Sequence, residues 1–390
     1  MEVSVINNVV VKNWAGEIDK HGIAEVENIC RLPFIHHHFA LMPDAHGGKG
    51  MPIGGVLATK GVVIPNAVGV DIGCGMCAVK SSVRVGELTE EVLRKQILRG
   101  IRKAIPLGRD HHKQPQPEEC MPQGFDTDSL TVVARQLNSA RKQVGTLGGG
   151  NHFIELQRDD EGWLWVMIHS GSRNLGKQVG EYYNDKAAAL NRRWYSVVSP
   201  EIGLPFLPVR SEEFGQYWAE MDYCVAFALC NRRLMMERIE EVVSDALGGV
   251  EFDPMINIAH NYAAWENHFG ENCIVHRKGA TLAREGMVGI IPGSQGTSSY
   301  ITEGLGNPES FMSCSHGAGR RLSRTAARQQ LSLEEEVGRL ERLGVIHAIR
   351  YVNDLDEAAG AYKNIDEVMA AQADLVRVRT RLTPIAVIKG

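Results

Sequence analysis

Short polar stretches recur along this 390-residue chain, and most of them place glycine close to histidine or a carboxylate. Glycine next to a polar group lets the backbone approach a ligand closely and adopt positive φ. Seven such stretches in one chain are too many to be turns alone, and long segments separate them. These stretches are therefore candidates for contacts with a ligand or a metal. The stretches are MPDAHGGKG (42–50), GVDIGCGMC (69–77), GGGNHFIE (148–155), IHSGSR (168–173), IAHN (258–261), PGSQGTSSY (292–300) and SCSHGAGR (313–320).

Composition is that of a globular protein without a strong charge bias. Apolar residues make up 44% and charged residues 23%, and the chain is long enough to bury a sizeable core. The formal net charge of −5 excludes a bulk polycation, so any contact with nucleic acid needs a local basic patch. The N-terminus lacks the features of a signal peptide, and the apolar runs Trp163–Ile168 and Cys224–Cys230 are too short to cross a bilayer. We therefore predict a cytoplasmic protein whose eight cysteines stay reduced.

The pattern along the chain predicts one compact α+β domain over residues 1–390. The first eighty residues are typical of short strands and glycine-rich loops. Pro106–Ser129 is polar and proline-rich, which indicates an exposed loop. Trp163–His169 and the C-terminal PIAVIKG are typical of strands. Helices are predicted at Thr89–Ala104, from Lys177 onward, and at Glu212–Leu247, Gly319–Leu343 and Ile365–Leu382.

Asp71 and Cys74 place a carboxylate and a thiol three residues apart in a glycine-rich turn. With three histidines they form a mixed set of oxygen, sulfur and nitrogen donors, which suits manganese, zinc or cobalt. Those histidines are His152, His169 and His260. Two alternatives stay open at this point. Cys74 and Cys77 could form a C-x-x-C redox pair or half of a zinc knuckle, and each histidine taken alone is typical of a structural position.

Two other motifs resemble sites of different chemistry. Gly171–Gln178 fits the beginning of a phosphate-binding P-loop, but Gln178 stands where that loop needs Ser or Thr for magnesium. Asp44-Ala45-His46 and Gly150-Asn151-His152 resemble the D-x-H and G-N-H elements of binuclear metallophosphoesterases, although the G-D-x-x-D element is missing. A metal-dependent phosphoesterase therefore stays as the alternative function.

Taken together, MPDAHGGKG, GVDIGCGM, GNHFIE, HSGSR and HGAGR resemble the motifs of the RtcB-type RNA-splicing ligases, in the family's order and almost from end to end. The resemblance implies an RtcB-like compact domain with β-sheets around a dinuclear metal site and helices packed outside. It implies two Mn²⁺ ions as cofactors. One would be held by Asp71, Cys74 and His152, and the other by Cys74, His169 and His260, with the thiolate bridging the pair.

The resemblance also implies the reaction, which joins RNA 3′-phosphate or 2′,3′-cyclic phosphate ends to 5′-hydroxyl ends at the expense of GTP. His316 matches the histidine that carries GMP as a covalent intermediate. The transfer-RNA splicing and RNA repair roles both fit, and a need for an activating protein partner stays open. The residues expected near the nucleotide are Asn151, Phe153, Glu155, Ser294, Ser299, Ala318, Gly319, Tyr362 and Lys389.

Basic residues close to these motifs are candidates for RNA contacts. Arg173 adjoins a proposed ligand loop, and three arginines follow His316. A solvated helix face explains that arginine cluster equally well. The full set is Arg173, Arg320, Arg321 and Arg324, with Lys49 and Lys60 as further candidates. The histidine runs His36–His38 and His111–His112 are interpreted as surface or packing features, and His276 is left without a role.

Overall fold

A computed structural model describes all 390 residues, which form a mixture of helices and sheets. The strands are β1 Glu2–Ile6, β2 Val9–Asn13, β3 Ile35–Lys49, β4 Met51–Thr59, β5 Val62–Val63, β6 Gly75–Arg84, β7 Phe153–Asp159, β8 Trp163–Ser170, β9 Leu207–Pro208, β10 Ile256–Ala259, β11 Asn261–His268, β12 Glu271–Lys278, β13 Ala280–Leu282, β14 Val288–Ile291, β15 Ser299–Gly304, β16 Ser313–Ser315 and β17 Val376–Lys389. The helices are α1 Lys20–Ile29, α2 Pro65–Val68, α3 Arg99–Ala104, α4 Thr131–Gln143, α5 Arg173–Arg193, α6 Glu212–Leu247, α7 Arg324–Gln330, α8 Leu333–Arg342 and α9 Ile365–Ala370.

Two large sheets form the centre of the molecule. The first has six strands in the order β1-β2-β3-β4-β12-β11, and the second has seven in the order β10-β6-β8-β7-β17-β15-β14. The neighbours in both sheets are antiparallel except β2 and β3. His260 is the single residue between β10, at the edge of the second sheet, and β11, at the edge of the first. The sheets therefore meet at a proposed metal ligand.

Helices cover one face of the second sheet. Apolar residues of β6, β7 and β8 pack there against residues of α6, including Met235, Ile239 and Val243, which are all buried. Helix α6 begins at Ser211, whose side chain accepts a hydrogen bond from the Phe214 amide, and ends at Gly248 with φ of 71°. The prediction of this 36-residue helix is confirmed at both ends. The strand predicted at Trp163–His169 is confirmed as β8.

The helix predicted at Ile365–Leu382 is wrong. Helix α9 ends at Ala370, and the long strand β17 begins at Val376. The alternating sequence VRVRTRL fits a strand with one exposed face, and β17 fills the gap between β7 and β15. Pairing with residues far away in the chain therefore overrides the local helical pattern.

Other predicted boundaries also need correction. Gly319–Leu343 contains two helices, because Ser323 and Ser332 each cap a new helix through their side chains. Before α3, the predicted Thr89–Ala104 segment contains wider π-type turns at Val92–Leu98. Helix α5 begins at Arg173, four residues before the predicted start. The first eighty residues contain α1, capped by the Asp19 side chain, and the 15-residue strand β3.

No helix has the length and hydropathy needed to cross a membrane. The predicted loop Pro106–Ser129 contains only two short 3₁₀ turns and is mostly exposed. It is nevertheless tied to α4, since the Gln116 amide donates to the carbonyl of Arg141. All eight cysteines are free.

Candidate metal and nucleotide site

A cavity of about 250 Å³ opens where the two sheets meet. Its lining includes residues from all seven of the polar stretches described above, which lie apart in the sequence. The fold therefore gathers these stretches around one cavity. Each stretch contributes at least one of the following lining residues: His46, Asp71, Cys74, Asn151, Phe153, Glu155, His169, His260, Ser294, Ser299, His316, Ala318 and Gly319.

At the inner end of the cavity, the ligand atoms of Cys74, His152 and His169 all lie within 4.8 Å of one another. The Cys74 Sγ is 3.5 Å from His152 Nε2 and 3.3 Å from His169 Nε2. On one side of this group, Asp71 Oδ2 is 3.4 Å from His152 Nε2. On the other side, His260 Nε2 is 3.4 Å from His169 Nε2. The five donors thus form a chain with the sulfur atom at its centre.

Main-chain carbonyl groups hold two of the histidine rings in place. His152 Nδ1 is 3.0 Å from the carbonyl oxygen of Leu147, and His169 Nδ1 is 3.1 Å from that of Asn151. These contacts assign the proton to Nδ1 in both rings, and Nε2 is left with its lone pair toward Cys74. The arrangement is the usual one for metal-binding histidines.

The charge states of the cluster suit a cation. Burial and repulsion from neighbouring histidines hold the pKa values of His169 and His260 well below their usual range, so both rings are neutral at pH 7. Burial, followed by the nearby Asp71 charge, raises the pKa of Cys74. A thiolate at this position therefore requires a positive charge beside it. His260 Nδ1 is buried and has no hydrogen-bond partner in the structure.

His316 lies beside this cluster, with its ring centroid 4.8 Å from that of His260. Its Nδ1 atom is 2.6 Å from Oδ2 of Asp44, a fully buried carboxylate. The same oxygen accepts hydrogen bonds from the backbone amides of His316 and Gly317, at 3.1 and 3.2 Å. Burial opposes ionisation of Asp44, but His316, together with the charges of His46 and Lys363, outweighs it and the pKa of Asp44 is lowered. Asp44 therefore lies beside Nδ1 of the ring and leaves Nε2 as the free nitrogen.

Close packing explains the glycine that follows in this motif. Gly319 has φ of 72°, and a Cβ atom there would lie 2.2 Å from the Asp44 carbonyl oxygen. Only glycine allows the chain after His316 to pass so close to β3.

The wall beyond His316 carries a second carboxylate, Glu155. Gln157 donates a short hydrogen bond to Glu155 and a second one, of 3.1 Å, to Ser299 Oγ. Burial raises the pKa of Glu155 to about 8, although the bond from Gln157 and the charge of Lys389 act in the opposite direction. The pairing of β7 with β8 and β17 places Phe153 opposite both His169 and Lys389. Sheet register thus joins the metal cluster to this wall.

Glu357 is the centre of an ionic network at the outer wall. Its carboxylate is 3.2 Å from Arg320 Nη1, 3.0 Å from Arg324 Nε and 3.9 Å from Lys389 Nζ, and it accepts a short hydrogen bond from Tyr362. Burial raises the pKa of Glu357, but the three cations and the hydrogen bond from Tyr362 outweigh it. The pKa of Glu357 is therefore lowered. The network fixes three cations and one phenol around a single carboxylate.

Comparison with known proteins agrees with this geometry. The family model described as tRNA-splicing ligase RtcB matches residues 25–390. The chain belongs to the RtcB family. The resemblance found in the motifs is therefore confirmed, and it extends over nearly the whole sequence.

Individual relatives support the family assignment. RNA-splicing ligase RtcB1 of Escherichia coli is 38% identical across the whole of this chain and 99% of its own length. RNA-splicing ligase RtcB of Mycobacterium bovis is 33% identical over 94% of this chain and 100% of its own length. tRNA-splicing ligase RtcB of Thermococcus kodakarensis is 32% identical over 94% of this chain and 91% of its own length.

Membership of the RtcB family, with the structure, argues against the other interpretations of the motifs. Cys77 points away from Cys74 toward the Arg232 carbonyl, 3.9 Å away, so the C-x-x-C residues do not act as a pair. Gly176 and Lys177 lie inside α5, and Lys177 is paired with Glu181, so no P-loop forms. Asp44 of the D-x-H element contacts His316 and not the metal-type donors.

The basic residues proposed for RNA contact have different surroundings. Arg320 and Arg324 are engaged by Glu357, while Arg321 donates to the Gly360 carbonyl and is exposed. Arg173 reaches inward, with Nη1 3.4 Å from His152 Nδ1. Lys49 is exposed, and Lys60 forms an ion pair with Glu271. Neither lysine lines the cavity.

The histidine runs have the packing role that the sequence predicts. The His38 ring stacks on Phe311 with centroids 4.3 Å apart. His112 Nε2 is 3.2 Å from the Gly145 carbonyl oxygen. His276 is fully buried and accepts a hydrogen bond from the Ile64 amide, so it also has a structural role.

Sequence reasoning missed three residues of this RtcB site. Asp44 appeared only as half of a phosphoesterase motif, although its position in a glycine-rich stretch was a usable signal. Gln157 follows Glu155 on the same strand face, and that spacing points to a shared environment. Glu357 stands in no motif, so only the fold reveals its role.

Proposed function

We propose that this protein is an RNA ligase that joins RNA 3′-phosphate or 2′,3′-cyclic phosphate ends to 5′-hydroxyl ends. It would use GTP and Mn²⁺, form a covalent His316–GMP intermediate, and act in RNA splicing or repair. Membership of the RtcB family, and relatives that are named RNA- or tRNA-splicing ligases, support the reaction class. The eight free cysteines fit the reducing cytoplasm.

One observation carries the proposal. A histidine with a free Nε2 atom stands in the same cavity as a cluster of metal-type donors, and a buried carboxylate holds its other nitrogen. A phosphoesterase needs the donor cluster but not this separate histidine. A ligase that carries GMP on the protein needs both.

The donor set fits two divalent cations. Asp71, Cys74 and His152 would hold one, and Cys74, His169 and His260 the other, with Cys74 shared. The raised pKa of Cys74 means that its thiolate needs a bound cation for stability, and His260 Nδ1 is buried without a hydrogen-bond partner. Both observations support a cation-binding site. When bound, the two ions would neutralise charge on the triphosphate and align it for in-line attack.

The protein's own groups account for the covalent steps. His316 Nε2 attacks the α-phosphorus of GTP; a P–N bond forms and the bond to the bridging oxygen breaks, which releases pyrophosphate. Asp44 stabilises the positive charge that develops on the ring and keeps the proton on Nδ1. An oxygen of the RNA 3′-phosphate then takes the guanylate and frees His316. Finally, the 5′-hydroxyl attacks the activated 3′-phosphate, GMP leaves, and the hydroxyl proton passes to solvent.

Several predicted residues surround the space left for the nucleotide. Phe153, Ser294, Ala318 and Tyr362 line the cavity together with Glu155 and Lys389. Glu155 and Lys389 offer an acceptor and a donor for the edge of a guanine base. The Asn151 side chain is exposed at the mouth, where it can reach the phosphates.

Intact mass measurement after incubation with GTP and Mn²⁺ tests the proposal. The wild-type protein should gain one guanylate that is lost in acid, as a phosphoramidate is. His316→Ala should gain none, while the exposed-histidine variant His111→Ala should gain as much as the wild type. If the metal-loaded wild type gains no guanylate but hydrolyses phosphate esters, the phosphoesterase alternative replaces the ligase.

A further inference from the structure

Two fully buried polar residues, Asn231 and Arg232, lie next to each other in the middle of α6. Neither lines the cavity, and no motif of the sequence analysis includes them. Burying a guanidinium group costs substantial free energy unless its donors are satisfied. The positions of its hydrogen-bond acceptors therefore show which segments the buried guanidinium group holds together.

Arg232 bonds to neutral acceptors in three separate segments. Its Nη1 donates to the carbonyl oxygens of Gly73, at 3.0 Å, and Ser170, at 2.8 Å. Its Nε donates to Asn257 Oδ1 at 2.7 Å. Each acceptor stands within three residues of a different proposed metal ligand. Those ligands are Cys74, His169 and His260.

Asn231 reaches the fourth segment. Its Oδ1 accepts hydrogen bonds from the amides of Gly145 and Thr146, at 2.7 and 3.1 Å. The next carbonyl, that of Leu147, is the one that orients the His152 ring. The Nδ2 of Asn231 donates to Ser170 Oγ and to the Gly171 carbonyl, both at 3.1 Å. The two side chains thus share the segment that carries His169.

We propose that Asn231 and Arg232 are positioning residues that assemble the metal centre before any metal binds. This inference rests on the proposed dinuclear site and concerns how that site is built. The ligands come from segments separated by up to 186 residues, between Cys74 and His260. A single rigid helix contacts the four histidine- and cysteine-bearing segments, so their relative positions do not depend on the cation.

The planar fork of arginine is essential to this role. One guanidinium reaches two carbonyl groups and a side-chain amide in fixed directions, which a lysine ammonium on a flexible chain cannot reproduce. Asn257 closes the arrangement, because its Nδ2 donates back to the Leu229 carbonyl of α6 at 3.1 Å. Arg232→Lys therefore keeps the charge and loses the geometry. Asn257→Ala removes the acceptor of the Arg232 Nε hydrogen bond, at a half-buried position.

The test is a titration of the metal-free full-length protein with Co²⁺, followed through the visible absorption that a cobalt–thiolate bond produces. Arg232→Lys and Asn257→Ala should each weaken Co²⁺ affinity about 10- to 100-fold and change the shape of the spectrum. Arg233→Met is the matched control, since Arg233 is the next residue of α6 and its exposed side chain pairs only with Glu237. That control should titrate as the wild type does.

Thermal unfolding in the presence of a chelator separates positioning from stability. The inference is overturned if the variants lose metal-free stability while their Co²⁺ affinity and spectrum stay as in the wild type. If Arg232→Lys does not fold, Asn257→Ala decides the result alone. A wild-type protein that shows no cobalt–thiolate absorption contradicts the metal centre itself, and with it both this inference and the proposed function.

Discussion

The two sides of the cavity are built in different ways. On the metal side, main-chain carbonyl groups orient the ligand rings, buried side chains of α6 bond to the neighbouring backbone, and the donors Cys74, His152 and His260 are almost completely buried. On the nucleotide side, Glu357 holds Arg320, Arg324 and Lys389 through ion pairs between side chains, and Arg324 is half exposed. One side is fixed by the backbone and the other by charge.

This difference predicts how each side fails. Removing a ligand from the metal side should abolish activity, because rigid surroundings cannot supply a substitute. Changes on the nucleotide side should alter affinity by graded amounts that depend on pH and salt, since the ion pairs there are partly screened by water.

The largest effect should come from Cys74→Ala. It removes the donor shared by both proposed cations. Co²⁺ affinity and the rate of guanylylation should therefore both fall by more than about 100-fold, the upper end of the loss expected when a residue that only supports a ligand is removed. The cobalt titration and the intact mass measure these two losses. Cys77→Ala is the control, because Cys77 is buried beside α6 and contacts no proposed ligand. Guanylylation that persists in Cys74→Ala contradicts the shared thiolate.

Asp44→Asn should have the next largest effect. It leaves the shape of the side chain almost unchanged but removes the negative charge beside His316 Nδ1. We expect the rate of guanylylation to fall about 10²- to 10⁴-fold, as when an orienting carboxylate is lost beside a catalytic histidine. Co²⁺ affinity should be unchanged. A parallel loss of metal binding would show that Asp44 belongs to the metal side.

Glu357→Gln tests the ionic side. The neutral amide no longer holds three cations together, so we expect the KM for GTP to increase about tenfold with a smaller change in kcat. Glu303→Gln is the matched control, because Glu303 also joins two arginines, Arg377 and Arg379, but lies outside the cavity. Equal effects of the two substitutions would mean that the Glu357 network has only a structural role.

An effect of similar size concerns the pH dependence of GTP binding. With a pKa of about 8 in the nucleotide-free protein, Glu155 is mostly protonated at pH 7. Contact with N–H donors of guanine favours the carboxylate, so GTP binding releases this proton and its affinity rises with pH up to about 8. We expect a gain of about tenfold between pH 6.5 and pH 8.5, measured by calorimetry. Glu155→Gln should bind more weakly and show a flatter profile. If GTP affinity rises with pH as steeply in Glu155→Gln as in the wild type, the proton released on binding comes from another group.

The sequence predicted the composition of the site better than its connections. The polar stretches included every donor of the Cys74 cluster and also His316. They did not show that Asp44 and His316, 272 residues apart, are in contact. Nor could they show Glu357, since a lone carboxylate outside any motif has no local signal. Contacts of this kind depend on strand order, which the pattern of one chain does not specify.

Helix α6 and strand β17 differ in the same way. The ends of α6 follow from a serine cap and a glycine stop, which act within one turn of the chain. The residues of β17 have no such local constraint, and their conformation is decided by pairing with β7 and β15.

The sequence by itself determined which atoms can bind a metal or attack phosphorus, and where the backbone needs glycine. These are properties of single residues and their immediate neighbours. The tertiary structure alone decided that Cys74, His152, His169 and His260 meet at the junction of two sheets, with Asn231 and Arg232 behind them. The reason is physical: hydrogen bonds between buried groups form only after the sheets have brought distant segments together.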